Sequence, residues 1–486
     1  MNSYLIHFET VGCKLNQIET ESIAKFCSDQ GFAVSMKPLT AAAKIASNPV
    51  ISIINTCTVT AKAEQKSRRI MRLLLSKFPD MPVIVTGCYA QVEQKQIESE
   101  SPFVIVVPGS IKDTLADFPL YLKNFFENNK TFSGAVLVDY IRCWEPLKNR
   151  LIFSKQLSPE DLSSVSFKLS TDTFYAHSRA SIKIQDGCDN ACSYCRIWLA
   201  RGKPISLPVV EVLNRVKQIE SSGQKEVVIT GVNLSLYKGF YKPEGTETAE
   251  YFDLAQLMEY LLKNTSIISF RISSLYPERI DDTLCRVLDN KRIRPHFHIS
   301  VQSGSDKILT AMRRSYTSKT ICDAVDRLRK IKPDAFIACD VIAGFPGETD
   351  EDFIQTMEMC KKCRFTWIHA FPFSARPGTA AAKMKNQVPQ RISKVRVKEL
   401  TDFAQQSKYA YTESFVGKIV KAIIEKHRTN CVRAVSENFL HIKIEGDYKE
   451  LNSLAGEEIN VCITKPQHTY GAEDEIEALG KLYLLR

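Results

Sequence analysis

Three closely spaced cysteines in the middle of the chain have the spacing of a metal-binding loop. The segment reads Cys188-Asp-Asn-Ala-Cys192-Ser-Tyr-Cys195 and directly follows a predicted strand, residues 182–185. Soft thiolates select iron–sulfur clusters or zinc, and three of them leave one iron of a cubane cluster free to chelate a small molecule. Structural zinc, the alternative, needs a fourth protein ligand, and Cys285 is the only Cys or His in the following hundred residues.

A second set of three cysteines lies near the amino terminus, and each follows a predicted strand. The motifs are Gly12-Cys13-Lys14-Leu15-Asn16, Asn55-Thr56-Cys57-Thr58-Val59-Thr60 and Thr86-Gly87-Cys88-Tyr89-Ala90. The strand ends of a parallel sheet converge on one edge, so these three thiolates can meet although they are distant in sequence. The alternative is burial in the core, because free Cys is among the most often buried residue types. We expect burial in the core for further cysteines on apolar faces, among them Cys27, Cys322, Cys339 and Cys360.

The elements that would position these cysteines fall into consecutive segments of the 486-residue chain. Residues 1–130 alternate short apolar strands with helical patterns, which predicts a doubly wound parallel sheet. Residues 131–173 show no sustained period and are interpreted as a linker or insertion. Residues 174–411 contain six predicted strands with intervening helices, which fits a partial or complete (β/α) barrel with its chemistry at the strand C-termini. Residues 412–486 have short strands at hairpin spacing and predict a small all-β barrel.

Length and composition favour a folded multidomain protein, and the alternation of predicted strands and helices makes it α/β. Hydrophobic residues make up 44% and charged residues 25%, which excludes collagen-like, coiled-coil and wholly disordered classes. No apolar run approaches the ~20 residues that span a membrane, and the amino terminus lacks the pattern of a signal peptide. We therefore expect a cytoplasmic protein with no membrane partner. Its 15 cysteines, an odd number, are expected to be reduced and available to metals.

The loop of Cys188, Cys192 and Cys195 resembles that of the radical S-adenosylmethionine (SAM) superfamily. The resemblance implies that these thiolates bind a [4Fe-4S] cluster, whose open iron takes the amino and carboxylate groups of SAM to generate a 5′-deoxyadenosyl radical. Later segments at strand ends are also similar, although each one alone indicates only a tight turn. The resemblance implies cofactor contacts at Gly231, Asn233, Gln302, Ser303, Arg201 and Gly344.

Together, the two cysteine triads resemble the methylthiotransferase branch of that superfamily. Its members carry an auxiliary [4Fe-4S] cluster, here implied at Cys13, Cys57 and Cys88, and a carboxy-terminal TRAM domain, implied at residues 412–486. Lys14, directly after the first cysteine, is similar to the subgroup that acts on N6-threonylcarbamoyladenosine in tRNA. Two departures are visible: Arg196-Ile197-Trp198 stands where the family usually has an apolar pair and Pro, and Ser206-Leu207-Pro208 lacks the usual Arg.

The net charge of +10 permits a polyanionic partner, so its distribution along the chain matters. Residues 415–486 hold 10 Lys and Arg against 11 Asp and Glu, so the basic excess lies elsewhere. Two runs are the candidates for phosphate contacts, although each could equally be a solvated helix face: Lys62, Lys66, Arg68, Arg69 and Arg72, and Lys383, Lys385, Arg391, Lys394, Arg396 and Lys398. Aromatic residues on the last barrel strand could stack a base, although core packing is favoured for them: Trp367, Phe371 and Phe373.

The leading hypothesis is a tRNA methylthiotransferase that modifies N6-threonylcarbamoyladenosine at tRNA position 37, beside the anticodon. Adenine C2–H is neither acidic nor electrophilic, so replacing its hydrogen with a methylthio group calls for a radical from a cofactor. The resemblance implies two [4Fe-4S] clusters, SAM, tRNA, a reductase or other electron donor and a sulfur donor. The alternative substrates are isopentenyladenosine in tRNA and a ribosomal protein side chain. A noncatalytic, zinc-stabilised RNA-binding protein is the alternative from another class, and metal identity discriminates it.

Overall fold

The computed structural model describes most of the chain, namely residues 4–40, 48–149, 167–170, 179–243, 245–246, 248–425, 431–467 and 475–483. Of the expected connection at 131–173, residues 150–166 and 171–173 lie outside these ranges.

The amino-terminal domain is a parallel sheet in the order β2-β1-β3-β4-β5. Its strands are β1 (Leu5–Thr10), β2 (Ala33–Ser35), β3 (Ile51–Thr56), β4 (Val83–Gly87) and β5 (Val104–Val106). Its helices are α1 (Lys14–Asp29), α2 (Ala61–Lys77), α3 (Cys88–Val92), α4 (Gln94–Glu98) and α5 (Phe118–Asn128), with a 3₁₀ segment at Gly109–Ala116. This strand order is a doubly wound topology, which confirms the prediction for this segment.

Strands β3, β4 and β5 are buried at every position because helices cover both faces of the sheet. Successive residues of β3 belong to different cores: Ile53 packs with α1 and α5, whereas Ile54 packs with α2. A buried parallel sheet has this near-continuous apolar pattern, since alternate side chains enter opposite layers.

Two further helices lie in the first part of the segment expected to be a linker, α6 (Gly134–Arg142) and α7 (Glu145–Lys148). Leu137 and Ile141 of α6 are buried in the core that also contains α5. At only nine residues, α6 is too short to display a sustained helical period, so the sequence pattern did not reveal it.

The central domain is an open barrel of parallel strands followed by helices. The strands form two sheets, in the orders β7-β6-β8-β11 and β12-β13-β14. Isolated bridges near β11 and β12, Phe270 to Ile293 and Leu275 to Ile299, connect the two sheets. The strands of this domain are β6 (Ala180–Asp186), β7 (Ile205–Ser206), β8 (Glu226–Gly231), β9 (Gly239–Tyr241), β10 (Glu250–Phe252), β11 (Ser269–Ile272), β12 (His296–Gln302), β13 (Phe336–Ala343) and β14 (Trp367–Pro372). The β9–β10 pair is a separate hairpin, and β7 pairs antiparallel with β6. The expected six-strand partial barrel is confirmed.

The helices of this domain cover the outside of the barrel. They are α8 (Ile197–Arg201), α9 (Val209–Ser221), α10 (Leu254–Asn264), α11 (Asp282–Leu288), α12 (Asp306–Ala311), α13 (Ser318–Ile331), α14 (Asp350–Cys363) and α15 (Gln390–Glu413), with 3₁₀ turns at Leu234–Leu236, Pro277–Arg279 and Ala381–Lys383. Cys322, Cys339 and Cys360 are buried in this core, and Cys27 is buried in the amino-terminal core, as expected.

The carboxy-terminal domain is a closed barrel in the order β15-β16-β17-β19-β18. Its elements are β15 (Ile419–Ile424), β16 (Val432–Ser436), β17 (His441–Glu445), α16 (Tyr448–Ser453), β18 (Glu458–Pro466) and β19 (Ala478–Leu482). The sequence analysis did not predict β19, because its ALGKL segment is short and contains both Gly and Lys.

This small barrel docks against the N-terminal ends of the central strands. Phe439, in the β16–β17 turn, packs 4.2 Å from the ring of His296 and near Phe336, at the starts of β12 and β13. The C-terminal strand ends, where the cysteine loop lies, are therefore at the opposite end of the central barrel. In the ranges that the structure describes, no helix has both the length and the apolar character that crossing a membrane requires.

Candidate active site

The amino-terminal cysteines lie together at one edge of the first sheet. Cys13 follows β1 and is the N-cap of α1, Cys57 follows β3, and Cys88 begins α3 directly after β4. These strands are neighbours, and the pairs Thr10–Asn55 and Thr56–Gly87 align their carboxyl ends. The structure therefore brings the three thiols together, as parallel strand ends require.

The residues around these cysteines hold the strand ends in place. Asn16 donates from its amide to Val11 O at 2.8 Å and to Thr56 O at 3.0 Å, which joins the chain after β1 to the end of β3. A side chain at Gly12 would place its Cβ 2.7 Å from Cys57 Cβ, and Gly12 also has φ +123°, so glycine is required at this position. These contacts explain the Gly-Cys-Lys-Leu-Asn motif.

The second cysteine loop follows β6 and is tied to the barrel at several points. Gly187 has φ +73°, and a Cβ there would collide with the Lys203 carbonyl, so the chain turns at this position without a side chain. Ser193 donates from its hydroxyl to Ala311 O at 2.8 Å and from its backbone to Met312 O at 3.1 Å. The end of α12 thus fixes the loop at the C-terminal edge of the barrel.

Each triad contains buried thiols, Cys57 and Cys88 in the first and Cys192 in the second, whereas Cys13 is exposed. Burial raises the pKa of Cys57 to about 12, with Cys88 and Cys13 adding to the effect, and burial raises the pKa of Cys195 to about 11. Backbone N–H groups point at the sulfurs of both, from Val59 at 3.5 Å and from Ile197 at 3.3 Å. Such donors stabilise thiolates once a metal has displaced the proton.

The donor set of each triad fits a cubane cluster. Three soft sulfur ligands occupy three irons and leave the fourth open, and each cluster ligand binds a different iron. Within the described ranges, no three His, Cys, Asp or Glu side chains are grouped closely enough to bind one common ion.

A cavity of about 320 Å³ lies directly against the barrel cysteines. Cys188, Cys192 and Cys195 line it, and Val59 and Thr60, which follow Cys57 in the amino-terminal domain, line it as well. The remaining walls come from the ends of barrel strands and the chain after β14. The amino-terminal domain thus contributes the loop after Cys57 to the cavity of the barrel cysteines, whereas Cys13, Cys57 and Cys88 themselves are not among its lining residues.

Arg314 supplies a cation to this cavity. Its guanidinium donates to Tyr194 OH at 2.5 Å and lies over the rings of Tyr276 and Tyr316 at 5.1 and 5.7 Å. Among the described residues its Nε and Nη1 have no hydrogen-bond partner, although both atoms are buried. A buried guanidinium with free donors suits a carboxylate or phosphate.

Sequence reasoning missed Arg314 because it sits beyond the end of α12, far from any cysteine motif. A second missed residue is Asp340, which lines the cavity and accepts from His298 Nε2 at 3.0 Å. For Asp340 the signal is its position within a parallel barrel strand, where inward-facing polar side chains approach the C-terminal edge. Arg314 follows a helix and has no such signal.

Arg201, expected from the resemblance to contact SAM, is placed elsewhere. Its guanidinium donates to Glu19 Oε1 at 3.1 Å, to Asp186 at 3.0 Å and to Asn16 Oδ1 at 2.8 Å, and it does not line the cavity. Lys112 and Lys183 complete this buried ion cluster. Burial alone would raise the pKa of Glu19, but the three cations hold it below its usual range. Arg201 therefore joins the barrel to the amino-terminal domain beneath the first triad.

Arg196, one of the departures from the family pattern, has a related role. Its guanidinium contacts Glu64 Oε1 at 3.2 Å and Glu93 Oε1 at 2.6 Å, both in the amino-terminal domain. Arg376, which lines the cavity, also pairs with Glu64. A charged residue is accommodated after Cys195 because the facing domain supplies its counter-ions.

The other expected cofactor contacts divide into two groups. Gln302 lines the cavity in a left-handed conformation with φ +71°, and Asn233 points its amide at Cys188 Sγ, 4.0 Å away. Gly231 packs against Gln185, at the base of the same strand ends. Ser303 Oγ lies 3.3 Å from Thr356 Oγ1, and a Cβ at Gly344 would enter Ser393, so both positions pack against outer helices, and their contact with SAM stays a prediction.

The residues expected to contact RNA differ in their exposure and in their ion pairs. Arg396 is buried and pairs with Glu348 and Asp350, so it is not available to phosphate, whereas Lys62, Lys66, Lys383, Lys385 and Lys394 are exposed. Arg72 pairs with Glu100 on the surface, and Arg68 donates to Tyr89 OH. Of the aromatic residues, Trp367 contacts the carboxy-terminal domain and Phe373 packs on Phe345, whereas Phe371 is exposed at the cavity.

Comparison with known proteins agrees with this architecture. Residues 182–360 match the radical SAM superfamily, and residues 5–109 match an uncharacterized protein family, UPF0004. The threonylcarbamoyladenosine tRNA methylthiotransferase MtaB of Treponema pallidum is 40% identical over 91% of this chain and 94% of its own length. The enzyme of the same name from Bacillus subtilis is 30% identical over 97% of this chain and 98% of its own length.

Among solved structures, the radical SAM methyltransferase TsrM from Kitasatospora setae superimposes with a TM-score of 0.52. It covers 78% of this chain and 77% of its own, at 14% identity, which shows the shared fold alone. The fold and the sequence relatives define a radical SAM enzyme that works with [4Fe-4S] clusters and SAM. The chain belongs to the MtaB family of methylthiotransferases.

Proposed function

We propose that this enzyme replaces the C2 hydrogen of N6-threonylcarbamoyladenosine at tRNA position 37 with a methylthio group. The activity for which its relatives are named supports the substrate. The observation that carries the proposal is the shared cavity, which is lined by the barrel cysteines and by the residues that follow Cys57. A reaction that needs both a radical and a sulfur source requires both triads to face one substrate.

Cys13, Cys57 and Cys88 are proposed to hold the auxiliary cluster, and Cys188, Cys192 and Cys195 the radical-generating cluster. When bound, the clusters and SAM supply the sulfur, the methyl group and the radical. The protein contributes partial desolvation: the buried thiols give up their protons to metal, and the walls of the cavity limit access of water to a reactive intermediate.

The side chains around the cavity are suited to orient SAM. Arg314 has free N–H donors beside the barrel cysteines, and one of them is proposed to bind the carboxylate of the methionine moiety of SAM. Gln302, at the end of β12, and Asn233, after β8, are proposed to fix the polar groups of the same moiety. Asp340, held by His298, provides an acceptor on the lining of the same cavity.

The proposed reaction takes place in the cytoplasm, on tRNA that already carries the threonylcarbamoyl group. It also requires a reductase or other electron donor for the radical cluster and a sulfur donor for the auxiliary cluster. The carboxy-terminal domain docks away from the cavity, so we propose that basic residues nearer the cavity make the main phosphate contacts.

The test is mass spectrometry of tRNA nucleosides from a strain in which this enzyme is the only methylthiotransferase. We expect methylthiolation of threonylcarbamoyladenosine, and little reaction of the same tRNA with unmodified adenosine, because the polar groups of the pocket would then be left unpaired. A variant with Cys188, Cys192 and Cys195 changed to Ala is the matched negative control. Product on isopentenyladenosine, or on a ribosomal protein instead of tRNA, would refute the substrate assignment.

A further inference from the structure

Two large aromatic side chains remain exposed at the mouth of the cavity. Trp198 is 45% exposed and Phe371 is 41% exposed, and both line the cavity that contains the barrel cysteines. Val59, which is also exposed, lies on the same lining. Apolar surface held open to water beside an active-site cavity marks a binding surface, because its exposure is unfavourable in the free protein.

Both aromatic residues are attached to rigid elements. Trp198 donates from its indole Nε1 to Cys195 O at 3.1 Å, and it belongs to α8, which Arg201 ties to the buried ion cluster. Phe371 lies on β14, paired with Ile342 of β13, and Phe373 two residues later packs on Phe345. Their backbones are therefore positioned before any ligand arrives, which reduces the entropy that binding costs.

Exposed cations flank this aromatic mouth on two sides. Lys62 and Lys66 lie at the start of α2, whose first residue, Ala61, donates from its backbone to Ser374 Oγ at 3.4 Å, beside the cavity. Lys383 and Lys385 follow Ala381, whose backbone N–H donates to Ser193 O of the cysteine loop at 2.7 Å. The mouth thus has exposed aromatic residues between two basic segments.

This combination matches single-stranded RNA better than any other partner. Bases stack on aromatic side chains in a sequence-tolerant way, while the backbone phosphates on either side require cations. An apolar peptide would satisfy the aromatic residues but would leave the basic segments without partners. Both aromatic residues line the cavity that contains the barrel cysteines, so a nucleotide that enters it comes close to them.

We propose that Trp198 and Phe371 are base-stacking contacts for the unpaired anticodon loop of the RNA substrate. The inference rests on the proposed function, since it takes RNA as the substrate, and it assigns the residues that receive the bases. Trp198 stands where the family usually has Pro, so this contact is a feature of this chain rather than one implied by the resemblance.

The test measures binding of a fluorescently labelled anticodon stem-loop carrying threonylcarbamoyladenosine to the anaerobic holoenzyme by anisotropy. Trp198→Leu and Phe371→Leu keep apolar volume but remove the aromatic face, and each is expected to raise Kd about 5- to 100-fold, the range of base–aromatic stacking. Trp198→Phe and Phe371→Tyr should stay within about threefold of the wild type, because they retain an aromatic face to stack on. Tyr251→Leu, an exposed aromatic outside the cavity lining, is the matched control and should leave Kd unchanged.

A stem-loop in which one nucleotide lacks its base gives a second binding measurement. If the aromatic residues had a merely structural role, their replacement would not change the effect of the missing base. In the wild type, removing the base should weaken binding. In the leucine variant that no longer stacks on that base, removing the base should have little further effect, as a double-mutant cycle requires. Leucine variants that bind like the wild type, or aromatic variants that are as weak as the leucine ones, would overturn the proposal. If the wild type modifies no RNA at all, the proposed function fails instead, and the two failures are thereby distinguished.

Discussion

Arg201 Nη1 lies 3.1 Å from Glu19 Oε1, and this contact joins the helix after the barrel cysteines to the helix that begins beside Cys13. Asp186, Lys112 and Lys183 share the same buried cluster. Buried ion pairs between side chains thus fix the position of one cysteine triad relative to the other. Breaking one member of such a cluster leaves uncompensated buried charge, which costs far more than a surface ion pair.

The first prediction concerns this contact. Arg201→Met removes the charge but keeps the length, and we expect the free energy of unfolding to fall by about 3–5 kcal/mol. Urea unfolding and limited proteolysis at the domain boundary would measure the decrease. Arg215→Met is the control, because Arg215 pairs with the more exposed Glu211. An Arg201→Met enzyme with normal stability and a raised KM for SAM would instead support a direct cofactor contact.

The cysteine positions could be predicted from sequence, whereas the roles of the arginines could not. Cys13, Cys57 and Cys88 each follow a buried strand, and a parallel sheet leaves only one edge where such residues can meet. Arg201 and Arg396 look available in the sequence, but each is buried against carboxylates from distant segments, Glu19 and Glu348. Long-range ion pairs have no local sequence signature, so only the folded structure assigns these residues.

The second prediction concerns metal content. Anaerobically reconstituted enzyme should bind close to eight irons, from two cubane clusters, and changing either cysteine triad to Ala should leave about half. Iron and sulfide analysis would measure this, with Cys143→Ala as the control, since Cys143 is exposed and lies in neither triad. Stoichiometric zinc in place of iron would contradict the assignment.

The third prediction separates the two triads by function. Replacing Cys13, Cys57 and Cys88 with Ala should abolish methylthio product but leave reductive cleavage of SAM to 5′-deoxyadenosine, because the barrel loop is anchored independently by Ser193. Chromatography of the nucleoside products would report both activities. Loss of SAM cleavage while the remaining cluster is fully loaded would show that this division of labour is wrong.

The fourth prediction concerns the basic segments. Charge reversal of Lys383, Lys385 and Lys394, all exposed, should weaken tRNA binding and reduce the slope of log K against log salt by roughly 0.7–0.9 for each phosphate that is no longer neutralised. Binding titrations over a range of salt concentrations would measure the slope. Lys319→Glu serves as the control, since Lys319 is exposed on α13 and pairs with Asp323. An unchanged slope would exclude these lysines from the RNA interface.

The fifth prediction concerns Glu226, which holds the N-terminal ends of the central strands together. Its carboxylate accepts from Arg271 Nε at 2.7 Å and from Arg294 Nε at 2.9 Å, and Arg294 continues to Glu458 of the carboxy-terminal barrel. Burial opposes ionisation of Glu226, but these arginines lower its pKa from 4.5 to about 2. The folded protein therefore holds this carboxylate ionised at pH values where the unfolded chain has taken up a proton.

The sign of the pH dependence follows from that difference. A carboxylate with a lowered pKa stabilises the fold above pH 4.5, and its contribution is lost as the pH falls toward 2. At 1.36 kcal/mol per pKa unit, the contribution is on the order of 3 kcal/mol. Glu226→Gln should therefore be markedly less stable than the wild type at pH 6, and the gap should narrow below pH 4.5. Urea unfolding of the two apoproteins at several pH values measures the gap, and because neither holds clusters, acid loss of iron does not contribute. A gap that is constant from pH 6 to pH 3 would show that Glu226 stabilises the junction by packing and not by its charge.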